Sequence, residues 1–454
     1  MNVMEFYDRA RVGKRVTEQE FDMKMLPAKL GELIKKYEIK RNPDDVVPQD
    51  LDMAKRVFDA AVELLTELGV YCKDTQSIIT ITEDEIRSAL QNAPSSHMIG
   101  VGTEAVECYA RGIGDTKRPR HIGGAIGAPL SEENYIDILT SCAIEPVDGL
   151  HTGSLQTLFD RTVRAGEPVE LMACQYEALW AREAVRRAGK PGMSLLGIMS
   201  GVSSEAQDVG DFPGGLRPSD IHLVAFSNEL KANWQDLKKI VHNQNLGNVI
   251  ESCCLPMLGG YCGGPEGTAI TLVAEAMQGF VMARSMSFAT VSLSLRFGAS
   301  DRQALWVNSM LPMACNSAGA NLILAYYIIG TAGPCTEMLC DELAAQIIAL
   351  TASGISYLYG GGGSQIAKLD YLTGMESRIT SEILRAATGV SPGKANEMVK
   401  ELLRNYEETL RNGEAPLGKS FKECYQDRLQ PSSEYLYLWE RKKKDLEKMG
   451  LVFH

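Results

Sequence analysis

The pattern of apolar and polar positions changes character twice along the chain. From 53 to 68 apolar residues recur at helical spacing, directly after Asp50, a residue type that caps a first helical turn. Thr82 followed by Glu85 has the S/T-x-x-E spacing of a capping box, which predicts a second helix opening at Glu83-Asp84-Glu85. From His121 the texture becomes short β-rich apolar runs, each followed by glycine or polar residues and then a helical period. These runs predict strands over 120–124, 147–152, 194–199, 221–226, 248–255, 289–295, 321–328 and 355–359. After Gly389 the helical pattern returns and ends in the basic run Arg441-Lys442-Lys443-Lys444, expected to form a solvated face.

Eight strand-then-helix units are the count of a closed α/β barrel. The expected organisation is an α-helical N-terminal extension over 1–118, a (β/α)8 (TIM) barrel over 119–388, and C-terminal helices packed on the barrel over 389–454. A doubly wound open sheet is the alternative, but no G-x-G-x-x-G follows the first predicted strand. In a closed barrel the chemistry collects at the C-terminal strand ends, where the βα loops converge on one mouth. Leu196, Cys253, Arg296 and Tyr327 fall at or just after the ends of the third, fifth, sixth and seventh predicted strands. Val202–Pro218, rich in Ser, Asp, Gly and Pro, reads as a long loop or lid over that mouth.

Composition narrows the partners. The 454 residues carry a formal net charge of −12, so there is no basic footprint for nucleic acid or an anionic membrane. The apolar run 314–332 contains Asn316 and Asn321 and is divided by Gly319, which suits a buried helix and strand better than a bilayer span. Eleven cysteines without C-x-x-C spacing, and no signal-peptide pattern at the start, are expected of reduced thiols in a cytoplasm.

A series of short motifs runs the length of the chain: E-F-Y-D-R-A-R-V-G from Glu5, L-G-V-Y-C-K-D-T from Leu68, R-A-G-K-P-G-M-S-L-L-G over Arg187–Gly197, and G-G-Y-C-G-G from Gly259. A-G-P-C-T-E-M from Ala332, T-G-M-E-S-R from Thr373, G-K-S-F-K-E-C-Y from Gly418 and a C-terminal G-L-V-F complete it. In number, order and spacing they resemble the monomethylamine:corrinoid methyltransferases. That resemblance implies methyl transfer from a small methylated substrate to a corrinoid (cobalamin) that a partner corrinoid-binding protein supplies, with no tightly bound cofactor. It also implies a homo-oligomer, a hexamer.

The resemblance carries a departure. Where the family has pyrrolysine, whose imine captures the amine, this chain has Leu196, which has no electrophile. Glu183 matches a carboxylate neighbouring pyrrolysine. The family's second carboxylate falls on Cys253, its ring-contacting glutamine on Tyr327 and its nearby tyrosine on Ile329. Replacement of the whole shell suggests a pocket rebuilt for another donor. A permanently cationic nitrogen needs no imine and is favoured by aromatic faces and a carboxylate, for which Tyr326, Tyr327, Glu183 and Glu229 are the candidates, with Arg296 and Ile329 beside them. Packing of the tyrosine pair in the barrel wall is the competing reading.

Two alternatives stand beside this one. Cys253 or Cys254, with Cys262 and His151 or His222, offers zinc-type ligands at loose spacing, although adjacent strand cysteines face opposite ways and buried, inert thiols are the plainer expectation. A non-catalytic ligand-binding homologue is the other. Gly360, Gly361, Gly362 and Gly363, after the eighth predicted strand, would let a corrinoid approach the mouth or form a plain loop, as would Gly259–Gly264.

Overall fold

The computed structural model describes residues 2–363, 367–425, 427 and 429–453. Eight parallel strands close on themselves in sequence order: β1 (Arg120–Gly124), β2 (Gly149–His151), β3 (Ser194–Leu196), β4 (Ile221–Ala225), β5 (Val249–Cys254), β6 (Ser287–Thr290), β7 (Leu324–Gly330) and β8 (Tyr357–Gly363), with β8 pairing back onto β1. The helices between them are α1 (Tyr135–Ala143), α2 (Pro168–Arg187), α3 (Ser204–Asp208), α4 (Trp234–Leu246), α5 (Pro265–Ala283), α6 (Arg302–Ser317), α7 (Glu337–Ser353) and α8 (Gly374–Ala387). The expected (β/α)8 barrel is the fold found. All six residues of β5 are buried, as a strand covered on both faces requires.

The helix Leu51–Leu68 forms where periodicity predicts it. The Asp50 side chain accepts from the Met53 N–H, and a stripe including Val57, Phe58, Leu64 and Leu65 packs against α5 and α6. Thr82 and Glu85 close the expected capping box on Glu83–Asn92. The first 118 residues are nevertheless not wholly helical. Val70–Cys72 pairs with Ser77–Ile79 and with Lys231–Ala232, and Ser96–Ile99 pairs with Val106–Tyr109. The second hairpin lies across the N-terminal end of the barrel, where Gly100 and Val101 donate their N–H groups to the carbonyls of Ser219 and Gly192. The lumen is therefore shut at that end and reached from the other.

Two further expectations are corrected. The basic run near the C-terminus is a solvated face only at Arg441 and Lys444. Lys442 is buried against Asp341 of α7 (Nζ–Oδ2 2.7 Å), Arg441 pairs with Glu337 and Lys443 with Glu382, so the run fastens helix Ser433–Lys448 to the barrel's outer layer. Asp341 lies about a hundred positions away, beyond any local pattern. The stretch Val202–Pro218 is only partly a mouth segment. Its first part is tied at the mouth by α2, but Asp211 bonds His242 and Asn248, beside the start of β5, so the second part descends the outside of the barrel toward the N-terminal end of β4. Among the described residues, no helix is long and apolar enough to cross a membrane.

Candidate active site

Alternation along the strands sorts the polar side chains into two environments. The Glu251 carboxylate accepts hydrogen bonds from Tyr357 (2.7 Å), Tyr359 (2.6 Å) and Ser287 (2.8 Å). Since β5 and β8 are not neighbours, the two tyrosine bonds cross the lumen, and Glu251, Tyr357 and Tyr359 all point inward. Two positions further along β5, and so about 6.6 Å nearer the mouth, Cys253 also faces inward and interacts across the barrel with the Tyr327 hydroxyl. Leu196 stands opposite His151 in the β2–β3 register, and Ala225 opposite Cys253.

The upper layer of the lumen is aromatic. Tyr327 stacks on Tyr359 with centroids 4.9 Å apart and planes at 26°, and His151 meets both rings edge-on at 5.9 Å. His151 Nδ1 lies 3.0 Å from the Thr152 carbonyl, so that nitrogen carries the proton and Nε2 is left as an acceptor. Burial lowers its pKa to about 4, which keeps the ring neutral. Burial pushes Glu251 up to about 7 against the hydrogen bonds it receives. Leu196 is 0 % exposed and Glu251 0 %, while Tyr327, at 7 %, is the ring of this cluster that touches solvent.

Comparison with known proteins agrees with this architecture. The family described as monomethylamine methyltransferase MtmB matches residues 1–451. The chain belongs to that family. It is 34 % identical over 451 residues to monomethylamine methyltransferase MtmB1 of Methanosarcina acetivorans and 34 % identical to MtmB of Methanosarcina mazei, covering 99 % of this chain and 98 % of each relative. The crystal structure of the Methanosarcina barkeri monomethylamine methyltransferase (MtmB) superposes with a TM-score of 0.96 at 33 % identity, over 100 % of this chain and 99 % of that one. A hydroxylamine complex of MtmB gives the same values. This chain is thus a methyltransferase of the MtmB family, and its mouth can be read residue by residue.

The sequence-derived candidates divide. Leu196, Cys253 and Tyr327 face one lumen at its open end. Glu183 does not join them. It lies in the last turns of α2, which runs antiparallel to the strands and so ends at the closed face, where it is clasped by Arg186 (2.7 Å) and Arg187 (2.8 Å). Those two hydrogen bonds hold its carboxyl at about 2, a surface ion pair rather than a proton donor. Tyr326 faces outward, bonded to Asn308 of α6 (3.1 Å) and Gln346 of α7 (3.4 Å). Glu229 is buried in the turn after β4. Its carboxylate accepts from the Met257 N–H, and its charged neighbours are Lys231 and Asp22, between the barrel and the N-terminal segment. Arg296 is exposed in the loop after β6, its guanidinium over Phe297. Half-buried Ile329 follows a register shift in β7 and donates its N–H to Gln346.

Gly360, Gly361, Gly362 and Gly363 are strand, not open loop. A Cβ on Gly360 would strike Ile126, on Gly361 Thr380, and on Gly363 the Ala332 carbonyl; Gly360 and Gly361 also have positive φ. Here glycine lets the chain pack on itself, and the run offers no open cradle. The cysteine reading fares similarly: Cys254 faces the helices, and burial pushes the Cys253 and Cys254 thiols up, away from the thiolate a metal needs. His222 bonds the Arg217 carbonyl near the closed end of β4. Among the described residues, the one group of His, Cys, Asp and Glu close enough to share an ion is Glu32, Glu63 and Glu67, already bridged by Lys29.

Sequence reasoning missed Glu251, Tyr359 and Glu177. On α2, Glu170 and Glu177 are seven apart and share the barrel-facing stripe. Glu170 accepts from the Val202 N–H (2.8 Å), and Glu177 from the Met199 and Ser200 N–H groups (both 2.7 Å), so the loop after Leu196 hangs from these two carboxyls. Glu183, six residues beyond Glu177, turns about 120° off that stripe at 100° per residue. Helix phase was the available signal, and on β8 and β5 it was period-two alternation, which pairs Tyr357 with Tyr359 and Glu251 with Cys253.

Proposed function

We propose that this methyltransferase works without pyrrolysine, moving a methyl group from a small, permanently cationic methylated amine to the Co(I) corrinoid of a partner protein. The observation that carries the reading is Leu196: an aliphatic side chain, fully buried, facing the lumen beside His151 at the position the family resemblance assigns to the imine. A leucine forms no covalent adduct, so the donor has to arrive already activated.

A quaternary ammonium meets that requirement. The acceptor supplies a cobalt electron pair directed at the methyl carbon. The C–N bond breaks with its pair remaining on nitrogen, and a neutral tertiary amine departs with no proton needed. Monomethylamine can leave as neutral ammonia only while it stays protonated, and burial in an apolar lumen favours loss of that proton, whereas a quaternary nitrogen keeps its charge. The chain's contribution is orientation and electrostatics. The Tyr327 and Tyr359 rings present π density worth about 0.5–2 kcal/mol to a desolvated cation, the neutral His151 adds no repulsion, and the buried Leu196 gives an apolar wall, with Ala225 exposed at the mouth. Val202, Tyr261 and Leu295 are exposed on the loops after β3, β5 and β6 and give an approaching corrinoid protein apolar surface at the rim.

The test is to incubate the protein with reduced cobalamin and a panel of methylated amines, betaines and thioethers, following loss of the Co(I) absorbance. Quaternary donors should react and primary amines should not. Stoichiometric zinc in the purified protein, with activity lost to a chelator, would replace this reading by the zinc-thiolate one. Binding of the donors without methyl transfer would replace it by the non-catalytic one.

A further inference from the structure

The lumen holds a carboxylate that the transfer chemistry above does not use. Glu251 is fully buried, and each of its hydrogen-bond partners is a neutral hydroxyl: Ser287 on the adjacent strand, Tyr357 and Tyr359 from across the barrel. Among the described residues, no Lys or Arg is paired with it. A buried acid costs the fold stability unless a cation offsets it. Hydroxyls satisfy its lone pairs but leave its charge uncompensated, and above it lies the aromatic layer at the open end.

The geometry also transmits that charge upward. Tyr359 donates its hydroxyl to Glu251 and stacks its ring on Tyr327, the member of the cluster that reaches solvent. A phenol donating to a carboxylate has an electron-richer ring, and a richer ring attracts a cation more strongly. The other groups around Glu251 do not substitute for it. Cys253 above it and Cys108 of the closing hairpin are protonated thiols, and His151 is neutral. Behind β5, Glu275 faces the Glu229 turn, while Lys239 bonds Gln207 on the outer side.

We propose that Glu251 determines donor specificity: it is the counter-charge of the site, held beneath the aromatic layer by Ser287, Tyr357 and Tyr359, and it selects a positively charged methyl donor over a neutral one of the same shape. Glu251 acts through Tyr359 and through space, as a positioning and electrostatic residue, not by touching the methyl group. The inference rests on the cationic-donor reading above and adds to it the residue responsible. Because Glu251 is half ionised near pH 7, cation binding should tighten as pH rises and the charge appears.

The experiment is calorimetric binding of tetramethylammonium and of tert-butyl alcohol, a neutral probe of similar size, to the full-length protein at pH 6 and pH 8. In the wild type tetramethylammonium should bind more tightly than the alcohol, and about fivefold more tightly at pH 8 than at pH 6, following the ionised fraction. Glu251→Gln should lose about tenfold at pH 8 and bind alike at both pH values, with the alcohol unaffected. If Glu251→Gln fails to fold, Tyr359→Phe keeps the carboxylate on Tyr357 and Ser287; it should retain the pH dependence and lose a fewfold of affinity. Unchanged pH dependence in Glu251→Gln, or no preference for the cation in the wild type, overturns the proposal. Methyl transfer is read separately. Tight cation binding without transfer to cobalamin would sink the transferase reading and leave this one standing, and transfer from neutral donors alone would overturn both this proposal and the cationic-donor reading while leaving methyl transfer itself in place.

Discussion

Tyr326 and Tyr327 follow one another on β7, both almost fully buried, and they belong to different parts of the molecule. Tyr326 sits between barrel and helices, where amides of α6 and α7 satisfy its hydroxyl. Tyr327 sits in the lumen among an imidazole, a thiol and a second tyrosine hung on a carboxylate. The outer layer spends its polar groups on fastening, as Lys442 with Asp341 and Glu177 with the loop after Leu196 also illustrate. The lumen keeps a carboxylate with no cationic partner among the described residues, and two stacked rings. Burial alone therefore says little about function; the face on which a buried polar group lies says more.

The comparison can be broken by mutation. Tyr327→Ala should cost two orders of magnitude or more in kcat/KM for a cationic donor, through lost ring face and packing, about 3 kcal/mol, while Tyr327→Phe, which keeps the face, should stay within about threefold. Equal losses in the two would assign the role to the hydroxyl. Tyr326→Phe should do the opposite: about 1 kcal/mol of stability lost in denaturant titration, with kcat/KM unchanged. A catalytic defect there would dissolve the distinction between the two layers.

Stability against pH sharpens it. Burial raises Glu251 to about 7, above the usual carboxylate value, so the fold favours its protonated form; that contribution is present in acid and lost as pH rises through about 7. Glu251→Gln should therefore gain in melting temperature relative to the wild type between pH 5 and pH 8. A constant difference would mean that the carboxyl titrates normally. The smallest effect belongs to Glu183→Gln, which removes an exposed arginine clasp: less than about 0.5 kcal/mol and no change in turnover. A large loss of activity would restore Glu183 to the site from which its position excludes it.

How far the molecule can be read from its chain follows from the range of each signal. β1 and β4 were legible nearly to the residue, because local alternation ends at glycine or polar residues. β6 was placed two residues late, since Ser287–Thr290 is short and Leu293–Ser294 belongs to a separate small pairing with Met257–Leu258. β8 runs on through its glycines because close packing replaces the side chains a strand normally shows. Leu196, Cys253 and Tyr327 were singled out by the family resemblance and by strand position together, and they face one lumen. Glu183 was misplaced because a match along the chain ignores helix phase. The partnership of Glu251 with Tyr357 and Tyr359 crosses the barrel and joins positions more than a hundred residues apart, beyond the reach of any local pattern.

The most direct measurement of the central claim is the ratio of kcat/KM for a quaternary methylammonium donor to that for monomethylamine, determined in one competition assay with reduced cobalamin as acceptor. With leucine at position 196 the ratio should exceed about 100, the factor that roughly 2.7 kcal/mol of transition-state discrimination provides. A ratio at or below one, with monomethylamine turned over by the chain as it stands, would contradict the account.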